Sequence, residues 1–512
     1  MKGRPDARDL AVVIPTRDRW DILARTLDAL RAQTVRGFQT VVVVDGKDQQ
    51  IPDLGTVTVF PIEKGGPGAA RNAGVAHGNA PLILFLGDDT IPAPDLVERH
   101  LDRHGTEPDD RVAVLGDISW HPDVADSRLH RWLDWSATQF DYHRLRRDLP
   151  DDAGYGRFIA SNTSLKRALF EAAGGFDETF SYYCEDLDLG YRLAESGMVL
   201  RYEPRAAADH LHAYRWADLE RRFAGIAPAE RMMAAKHRDW ATYFQPRLEA
   251  AAARPPVSPW WARLVDRVPD TGGAVRGRFE ENATLWYHQR LAGAYFEAWE
   301  LDEERQEWAQ FIVAARIEDP AKGRSLADRA GGRRHREQLD HLLGPGGRLL
   351  VYECGGGADG LRLLAGGHDV SFFTSEPLAH RYLLWRLERR CVQAPIYGDH
   401  EELRAGFDIV CCFGRLEDEP DPSSLLEILE AQAPLVVVDV GAEGVGRLLR
   451  HAKHRGLVLY RTLGDTHLVA YRSLASHHDS SGASRLTSEI ELAAGRALRR
   501  WPALGRLKRS VA

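Results

Sequence analysis

The sequence predicts an α/β protein in which two sheet-containing domains are joined by a helical connector. Short aliphatic runs alternate with segments of helical periodicity in the first quarter of the chain, and the alternation restarts after residues 344–347, Gly-Pro-Gly-Gly. Such alternation is typical of a mostly parallel sheet that is covered on both faces. The length of 512 residues is enough for about three domains of roughly 150 residues. One small fold is therefore excluded.

The first domain is predicted over residues 1–248. Leu23, Leu27 and Leu30 recur at helical spacing after its first strand, and its strands are predicted at residues 10–15, 40–44, 57–60 and 82–86. Ligands of open α/β sheets bind beyond the carboxyl ends of the strands. Three loops are therefore candidate ligand-binding loops, at residues 15–19, 45–48 and 87–92.

The remaining boundaries follow from changes in composition. An Ala- and Pro-rich stretch opens the segment 249–333, which continues in helix formers without strand-like alternation and is predicted as the helical connector. Residues 334–473 resume the strand and helix alternation and are predicted as a Rossmann-like domain. Residues 474–512 are predicted as a flexible tail that contains a basic amphipathic helix.

Composition and charge exclude several classes of protein. Lys and Arg number 67 against 75 Asp and Glu, a formal net charge of −8, so no global basic field attracts nucleic acid. The five cysteines form no spaced CxxC pairs, which argues against a disulfide scaffold or a structural zinc site. The start, MKGRPDARDL, carries no apolar signal segment, and no apolar run approaches the roughly 18 residues of a membrane span. We therefore expect a reducing, cytoplasmic location.

Two acidic clusters are candidate catalytic sites. Asp88 and Asp89 follow a buried strand, where carboxylates are suited to bind Mg²⁺ or Mn²⁺ that also bridges phosphate oxygens; an acidic turn that caps the next helix is the alternative. Glu185 and Asp186 stand where a helix is predicted to begin. There the helix dipole lowers a carboxyl pKa and an apolar wall raises it. A plain acidic first turn is the alternative for this pair.

Six motifs occur in an order that resembles a family 2 glycosyltransferase of the GT-A fold. The resemblance covers about residues 9–215, and the ordered set makes it specific. The motifs are VVIPTRDR at 12–19, VVDG at 43–46, GAARNAG at 68–74, FLGDD at 85–89, GGFDE at 174–178 and EDLDL at 185–189.

The resemblance implies roles for individual residues. It implies that Asp186 is the general base, with Glu185 beside it, and that Asp89 binds a metal ion. His210 completes the metal site, with His212 as the alternative ligand. The residues that it implies for nucleotide-sugar binding are Pro15, Thr16, Arg17, Arg19, Asp45 and Arg71.

One position departs from the family pattern. Gly87 replaces the first carboxylate of the DxD motif, which leaves Asp88 as the substitute for the usual carboxylate contact to ribose. The metal-binding role of Asp89 does not depend on this position.

These residues together predict an inverting, metal-dependent transfer of a sugar from a nucleotide-sugar to a carbohydrate or lipid-linked acceptor, as in polysaccharide biosynthesis. A divalent cation, Mn²⁺ or Mg²⁺, neutralises the diphosphate leaving group, and a carboxylate removes the acceptor proton. A metal-dependent nucleotidyltransferase is the alternative. Trp132, Trp135, Tyr155 and residues 161–163 are candidates either for acceptor binding or for core packing.

The predicted second domain contains a glycine turn between a strand and a helix. Glycines there let the backbone approach a ligand closely, and a carboxylate after the next strand can bind ribose hydroxyls. The order resembles a class I S-adenosylmethionine-dependent methyltransferase over about residues 334–472. It implies that S-adenosylmethionine contacts Glu353, Gly355, Gly357, Gly360 and Glu376. A second, methyl-transfer activity and a non-catalytic scaffold domain are both consistent with this pattern.

The predicted tail helix has a basic face. Ser488 and Glu491 fit a capping box, and no acidic residue follows Glu491 to offset the basic residues Arg496, Arg499, Arg500, Arg506, Lys508 and Arg509. Such a helix can bind an anionic membrane surface, here the inner face of the membrane, or remain a solvated or docked helix.

Overall fold

The computed structural model describes residues 5–55, 57–264, 274–317, 347–403, 406–413, 421–441, 458–463 and 466–472. The chain divides into two compact units, Met1–Tyr295 and Phe296–Ala512. The division lies within one helix, Ala274–Ala315, inside the segment predicted as the connector. The domain boundaries predicted at residues 248, 333 and 473 stay predictions, and the tail predicted at 474–512 lies outside the described residues.

The described part of the first unit forms a mixed sheet in the order β3-β2-β1-β4-β7-β6-β8-β5. β1 to β4 run parallel, β7 is antiparallel to both β4 and β6, and β5 is antiparallel to β8. The strands are β1 (Leu10–Thr16), β2 (Gln39–Asp45), β3 (Thr58–Ile62), β4 (Leu82–Leu86), β5 (Thr90–Pro92), β6 (Val112–Trp120), β7 (Asn162–Lys166) and β8 (Val199–His210). The four strands predicted from sequence are confirmed as β1 to β4.

Helices cover this sheet. The predicted start of a helix at Glu185 is confirmed, and Leu23, Leu27 and Leu30 are buried on α1 as their spacing predicts. The helices are α1 (Trp20–Arg31), α2 (Gly66–His77), α3 (Leu96–Thr106), α4 (Pro122–Ala125), α5 (Arg128–Trp135), α6 (Tyr142–Asp148), α7 (Arg167–Ala172), α8 (Glu185–Glu195), α9 (Trp216–Lys236), α10 (Phe244–Ala252), α11 (Trp260–Leu264) and α12 (Ala274–Ala315).

The core explains why the strands are apolar along their whole length. Alternate residues of β1 and β4 enter two different hydrophobic clusters, one against α1 and α3 and the other against α7 and α8. Val12 and Leu84 belong to the first cluster, and Val13 and Phe85 belong to the second. Since both faces of these strands are buried, their polar residues emerge where the strands end.

The second unit contains a separate sheet in the order β11-β10-β9-β12-β13-β15-β14. Its first five strands are parallel, and β15 is antiparallel to β13 and β14. The strands are β9 (Arg348–Tyr352), β10 (Asp369–Phe373), β11 (Ile396–Tyr397), β12 (Ile409–Cys412), β13 (Leu435–Gly441), β14 (Val458–Leu463) and β15 (Thr466–Arg472). The helices are α13 (Ala358–Ala365), α14 (Pro377–Arg389) and α15 (Pro422–Gln432). A second α/β sheet is thus confirmed, and its methyltransferase-like character stays a prediction.

The C-terminal part of α12 belongs to the second unit. Trp308 and Phe311 are buried there against Ala379 and Tyr382 of α14. Among the described residues, no helix combines the length and the apolar character that a membrane crossing requires.

Candidate active site

A cavity of about 1020 Å³ opens at the carboxyl ends of β1, β2 and β4. The loops at 15–19, 45–48 and 87–92 all contribute to its wall, as predicted from the strand pattern. Every residue that the sequence predicts for the N-terminal site lines it: Pro15, Thr16, Arg17, Arg19, Asp45, Arg71, Asp88, Asp89, Glu185, Asp186 and His210. The structure therefore brings the predicted residues together, while their individual roles stay predictions.

Asp88 lies at the base of the cavity and is hydrogen-bonded to Thr16 and Arg19. Its side chain is 1% exposed, accepts a hydrogen bond from Thr16 Oγ1 at 2.7 Å, and is bonded by Nε and Nη2 of Arg19. Burial raises the pKa of Asp88 to about 6 against the opposing charge of Arg19. Both carboxylate oxygens are thus engaged within the protein, which differs from a carboxylate that is free to bind ribose.

The absence of a side chain at Gly87 has a steric reason. A Cβ atom at this position would lie 2.6 Å from Thr90 Oγ1 and 3.0 Å from Asp89 Oδ1. A side chain at the first position of the DxD motif would therefore crowd the side chains of Thr90 and Asp89.

Asp89, His210 and His212 form a cluster whose ligand atoms lie within 4.8 Å of one another. Asp89 Oδ2 is 3.4 Å from His210 Nε2 and 3.2 Å from His212 Nδ1. His210 ends β8 opposite Thr90 of β5, and the N–H of Leu211 donates to the carbonyl oxygen of Asp89 at 2.7 Å. One carboxylate oxygen and two imidazole nitrogens are donors that fit a first-row divalent cation.

Asp89 is held in its ionised form. Burial opposes ionisation, but His210 and Arg19 together lower the pKa of Asp89 well below its usual range. Arg19 Nη1 lies 2.7 Å from Asp89 Oδ2 and 3.2 Å from His212 Nδ1. The sequence predicts Arg19 as a nucleotide-binding residue, and its contact with Asp89 and His212 was not predicted.

Glu185 and Asp186 open α8 and have different surroundings. Glu185 is buried and forms an ion pair with Arg71 Nη1 at 3.0 Å, whereas Asp186 is partly exposed in the cavity. Cys184, the residue before them, has a left-handed backbone with φ of 67°. Such strain in a non-glycine residue is tolerated where the surroundings impose it, often at functional sites.

The electrostatic setting of this pair favours protonation. Burial and the charge of Asp186 raise the pKa of Glu185 to about 7 against the effect of Arg71. Burial also raises the pKa of Asp186, and Arg71 opposes that shift as well. The sequence predicted two opposing effects on these pKa values: the helix dipole lowers them and an apolar wall raises them. Burial raises both pKa values, so the second effect dominates.

Asp45 organises the loop that leads into α2. Its Oδ1 accepts hydrogen bonds from the N–H groups of Gly65 at 2.7 Å and Gly66 at 3.1 Å. Gly66 has φ of 87°, and a Cβ atom there would lie 1.8 Å from the carbonyl oxygen of Ser181. This close approach brings the start of α2, and with it Arg71, next to the segment before α8.

The wall formed by α9 and α10 was not predicted from sequence. It presents Arg222, Glu230, Trp240, Tyr243 and Phe244 to the cavity. These residues lie beyond the motifs at 12–189, on α9, at the start of α10 and in the segment between them, so no sequence signal pointed to them.

The predicted acceptor-binding candidates separate into two groups. Tyr155 and Ser161 line the cavity. Trp132 is instead 1% exposed, donates its Nε1–H to Thr284 Oγ1 at 3.3 Å and stacks on Tyr287. Trp135, Asn162 and Thr163 are not part of the cavity wall.

In the second unit, the glycine turn follows β9. Glu353 accepts a hydrogen bond from the Ser375 hydroxyl beyond β10, so these two strand ends meet, and exposed Glu376 precedes α14. Gly355 has φ of 52°. The participation of Ser375 was not predicted.

Two of the glycines in this turn serve packing. A Cβ atom on Gly357 would lie 2.5 Å from Leu383 Cδ1, and one on Gly360 would lie 2.2 Å from Phe372 Cε1. They therefore allow close contact between α13 and its neighbours β10 and α14.

One protein-family model matches part of the first unit. Residues 11–172 match the model of Glycosyl transferase family 2. The N-terminal region thus carries a domain of this family, and the predicted GT-A-like α/β fold of this region is supported by that match.

Curated relatives are also similar to part of this chain. Validoxylamine A glucosyltransferase of Streptomyces hygroscopicus subsp. jinggangensis is 30% identical over 233 residues, covering 37% of this chain and 52% of that protein. Pre-mycofactocin glycosyltransferase of Mycobacterium tuberculosis is 31% identical over 249 residues, covering 46% of this chain and 49% of that protein. The chain therefore spans about half the length of these relatives.

Among solved structures, one that is similar to this chain has 18% sequence identity to it and a TM-score of 0.36. It is a mannosyltransferase from Pyrobaculum calidifontis in complex with GDP-Man and Mn²⁺, and the alignment covers 57% of this chain and 88% of that chain.

Proposed function

We propose that the first unit is an inverting, metal-dependent glycosyltransferase that moves a sugar from a nucleotide-sugar to a hydroxyl group of a carbohydrate or lipid-linked acceptor. The observation that carries the proposal is the presence of two chemically distinct groups in one cavity. The cluster of Asp89, His210 and His212 and the pair of Glu185 and Asp186 both line it.

Asp89, His210 and His212 would hold the divalent cation. A cation bound there neutralises the negative charge that develops on the diphosphate leaving group. Asp88 has a different task, because it is buried and fixes Thr16 and Arg19.

Asp45, the loop at 15–19 and Arg71 form the donor end of the proposed site. Arg17 Nη1 donates to the carbonyl oxygen of Asp45 and so joins the first two loops. Arg71 lines the cavity and its Nη1 pairs with Glu185 at 3.0 Å, so its positive charge is held where it can attract the diphosphate of the donor.

Asp186 is the proposed general base. It is the member of the acidic pair that is partly exposed in the cavity, and its Oδ1 is oriented by the N–H of Leu187 at 2.8 Å. As the acceptor oxygen bonds to the anomeric carbon, Asp186 takes the hydroxyl proton and the bond from that carbon to the diphosphate breaks. A pKa raised toward neutrality makes this carboxylate a better proton acceptor. Direct displacement inverts the anomeric configuration.

The acceptor class is supported by the cavity wall. Tyr155, Tyr183 and Trp240 provide aromatic faces on which a sugar ring can stack. The printed names of the relatives give validoxylamine A, pre-mycofactocin and an O-antigen chain as the molecules that they act on, so acceptors of each of these kinds belong in the test of this chain.

The test is a panel of nucleotide-sugars with Mn²⁺ or Mg²⁺, in which released products are identified. From a nucleotide-sugar, glycosyl transfer releases a nucleoside diphosphate, whereas the alternative nucleotidyl transfer releases the sugar 1-phosphate. Asp186→Asn is expected to keep nucleotide binding and lose transfer. Wild-type turnover in this variant would exclude Asp186 as the base.

For the second unit we propose a ligand site for S-adenosylmethionine at the glycine turn. The strand order reverses between β9 and β12, and ligands of open α/β sheets bind at such a switch point. Glu353 and Gly355 lie at this edge. Calorimetry with S-adenosylmethionine tests the proposal, and no heat of binding would favour the scaffold alternative.

We also propose that the enzyme acts in the cytoplasm and contacts the inner face of the membrane through the predicted basic tail. Co-sedimentation with anionic liposomes, comparing the full chain with residues 1–474, tests this. Equal pelleting of the two proteins would remove the proposal.

A further inference from the structure

Arg19 joins the two neighbouring carboxylates of the β4 end. Its Nε donates to Asp88 Oδ2 at 3.1 Å and its Nη2 bonds Asp88 Oδ1, while its Nη1 donates to Asp89 Oδ2 at 2.7 Å. The same Nη1 lies 3.2 Å from His212 Nδ1. One end of the guanidinium is thus held by Asp88, and the other lies among the atoms proposed to bind a cation.

These contacts are incompatible with full occupation of the cluster by a metal ion. The lone pair of His212 Nδ1 can accept a hydrogen bond from Arg19 or bind a cation, but not both. A cation bonded to both Asp89 Oδ2 and His212 Nδ1 would stand beside Arg19 Nη1, and two positive charges at that distance repel each other.

We propose that Arg19 is a competing cation, which a divalent metal ion displaces from Asp89 and His212 and which then binds the diphosphate of the donor. The proposal rests on the metal site of the proposed function. Arg19 remains anchored because its bonds to Asp88 involve other nitrogens, and about a third of its side chain is exposed at the cavity. A planar, forked guanidinium suits this role, since it can bond one anion while turning toward another.

The consequence is coupling between metal and donor. A metal ion alone must break the contacts of Arg19 Nη1 and leave its charge without that partner. A diphosphate supplies a new anionic partner, so each ligand strengthens the binding of the other, and this coupling is reciprocal. Arg19 is then a positioning residue that links the two sites.

The test measures Mn²⁺ binding by the full-length protein, by calorimetry or by the electron paramagnetic resonance signal of free Mn²⁺. Arg19→Gln is expected to bind Mn²⁺ alone about tenfold more tightly than the wild type, within the usual range of coupling energies. Addition of UDP or GDP should then improve Mn²⁺ affinity by a smaller factor in the variant than in the wild type.

Arg17→Gln is the matched control. Arg17 lines the same cavity and carries the same charge, but its contacts are with Asp45, Asp18 and Asp48 rather than with the cluster. An equal gain in Mn²⁺ affinity in both variants would show a general charge effect and overturn the proposal. Unchanged or weaker Mn²⁺ binding in Arg19→Gln would also overturn it.

Arg19→Lys covers the case in which the glutamine variant does not fold. Lysine keeps the charge but cannot bond both carboxylates in the same way, so Mn²⁺ should again bind more tightly than in the wild type. Wild-type affinity in Arg19→Lys contradicts the proposal.

If neither the wild type nor the variants bind Mn²⁺, even with UDP or GDP, the metal site of the proposed function fails as well. If all bind it equally, only the role of Arg19 fails.

Discussion

At the residue scale, Arg71 sets the ionisation of the acidic pair on α8. It lies 114 residues from Glu185 in sequence, yet the two side chains pair in a buried position. Burial raises the pKa values of Glu185 and Asp186, and Arg71 opposes both shifts. The charge that is proposed to bind the donor therefore also limits the rise in the pKa of the proposed base.

Arg71→Gln is expected to move the acidic limb of the pH–rate profile to higher pH. In the proposed mechanism the rate requires ionised Asp186, so it rises as pH passes through the pKa of this group. Arg71 lowers that pKa, and its loss therefore raises it. At saturating donor, we expect the loss of rate to be largest on the acidic side of the profile and to be partly recovered at higher pH.

The control for this profile is Arg144→Gln. Arg144 lines the cavity but pairs with Asp141, 3.6 Å away. The acidic limb of the pH–rate profile of Arg144→Gln should coincide with that of the wild type. A pH-independent loss in Arg71→Gln would mean that Arg71 acts only on donor binding.

Glu185 makes stability depend on pH in a defined direction. Its pKa rises from 4.5 to about 7 on folding, mainly through burial. For a raised pKa, the stabilisation is fully present below the unfolded value and is lost as pH rises through the folded value. Glu185→Gln should remove this loss, so that its stability relative to wild type increases between about pH 4.5 and pH 7, by about 3 kcal/mol in total.

Urea unfolding of wild type and Glu185→Gln at a series of pH values measures the difference. Glu195→Gln, at the exposed end of the same helix, is the matched control and should give a flat difference. Parallel curves for wild type and Glu185→Gln would contradict the assignment.

At the element scale, a buried carboxylate joins α9 to the start of α10. Glu230 is 2% exposed and accepts hydrogen bonds from the N–H groups of Tyr243 at 2.7 Å, Phe244 at 2.9 Å and Gln245 at 3.2 Å. The hydroxyl of Tyr295 also donates to it. This arrangement satisfies the free N–H groups of a helix N-terminus and fixes the aromatic residues that line the cavity.

Glu230→Gln is expected to destabilise the fold by about 2–4 kcal/mol, because the amide places a donor where it must face other donors. Acceptor KM should rise, since α10 positions Tyr243 and Phe244, while nucleotide affinity should stay at the wild-type value. Glu249→Gln, at an exposed position of α10, is the control. Equal changes in acceptor KM and nucleotide affinity would show that α10 does not act on the acceptor alone.

The elements also explain what the sequence could predict. β1, β2 and β4 were predictable because they are apolar along their length, and the site residues at their ends because parallel strands end at one edge. Contacts that depend on how distant elements meet, such as Arg19 with His212 or Glu230 with α10, have no local pattern. Trp132 shows the same limit, because composition alone did not separate a packed tryptophan from a binding one.

At the scale of the whole molecule, α12 is buried by different partners along its length. Its first part supplies Tyr287 and Tyr295 to the first unit. Its last part, including Trp308 and Phe311, is buried in the second unit. Arg386 of α14, 1% exposed, adds ion pairs to Glu304 at 2.6 Å and Glu307 at 2.8 Å. The part of α12 before residue 296 therefore packs within the first unit, and the part from residue 296 onward packs within the second.

This burial predicts where the chain can be cut. A protein of residues 1–297 keeps the partners of Tyr287 and Tyr295 and should fold and hydrolyse or transfer the donor sugar. A protein of residues 1–333 retains Trp308 and Phe311 without the α14 residues that cover them. Each such exposed side chain loses roughly 2 kcal/mol of the favourable free energy of burial. This longer protein should therefore bind a hydrophobic dye several-fold more strongly and aggregate at lower concentration.

Circular dichroism, dye fluorescence and donor turnover of the two proteins measure these differences. A well-folded 1–333 protein with weak dye binding, beside an inactive 1–297 protein, would mean that the end of α12 belongs to the transferase.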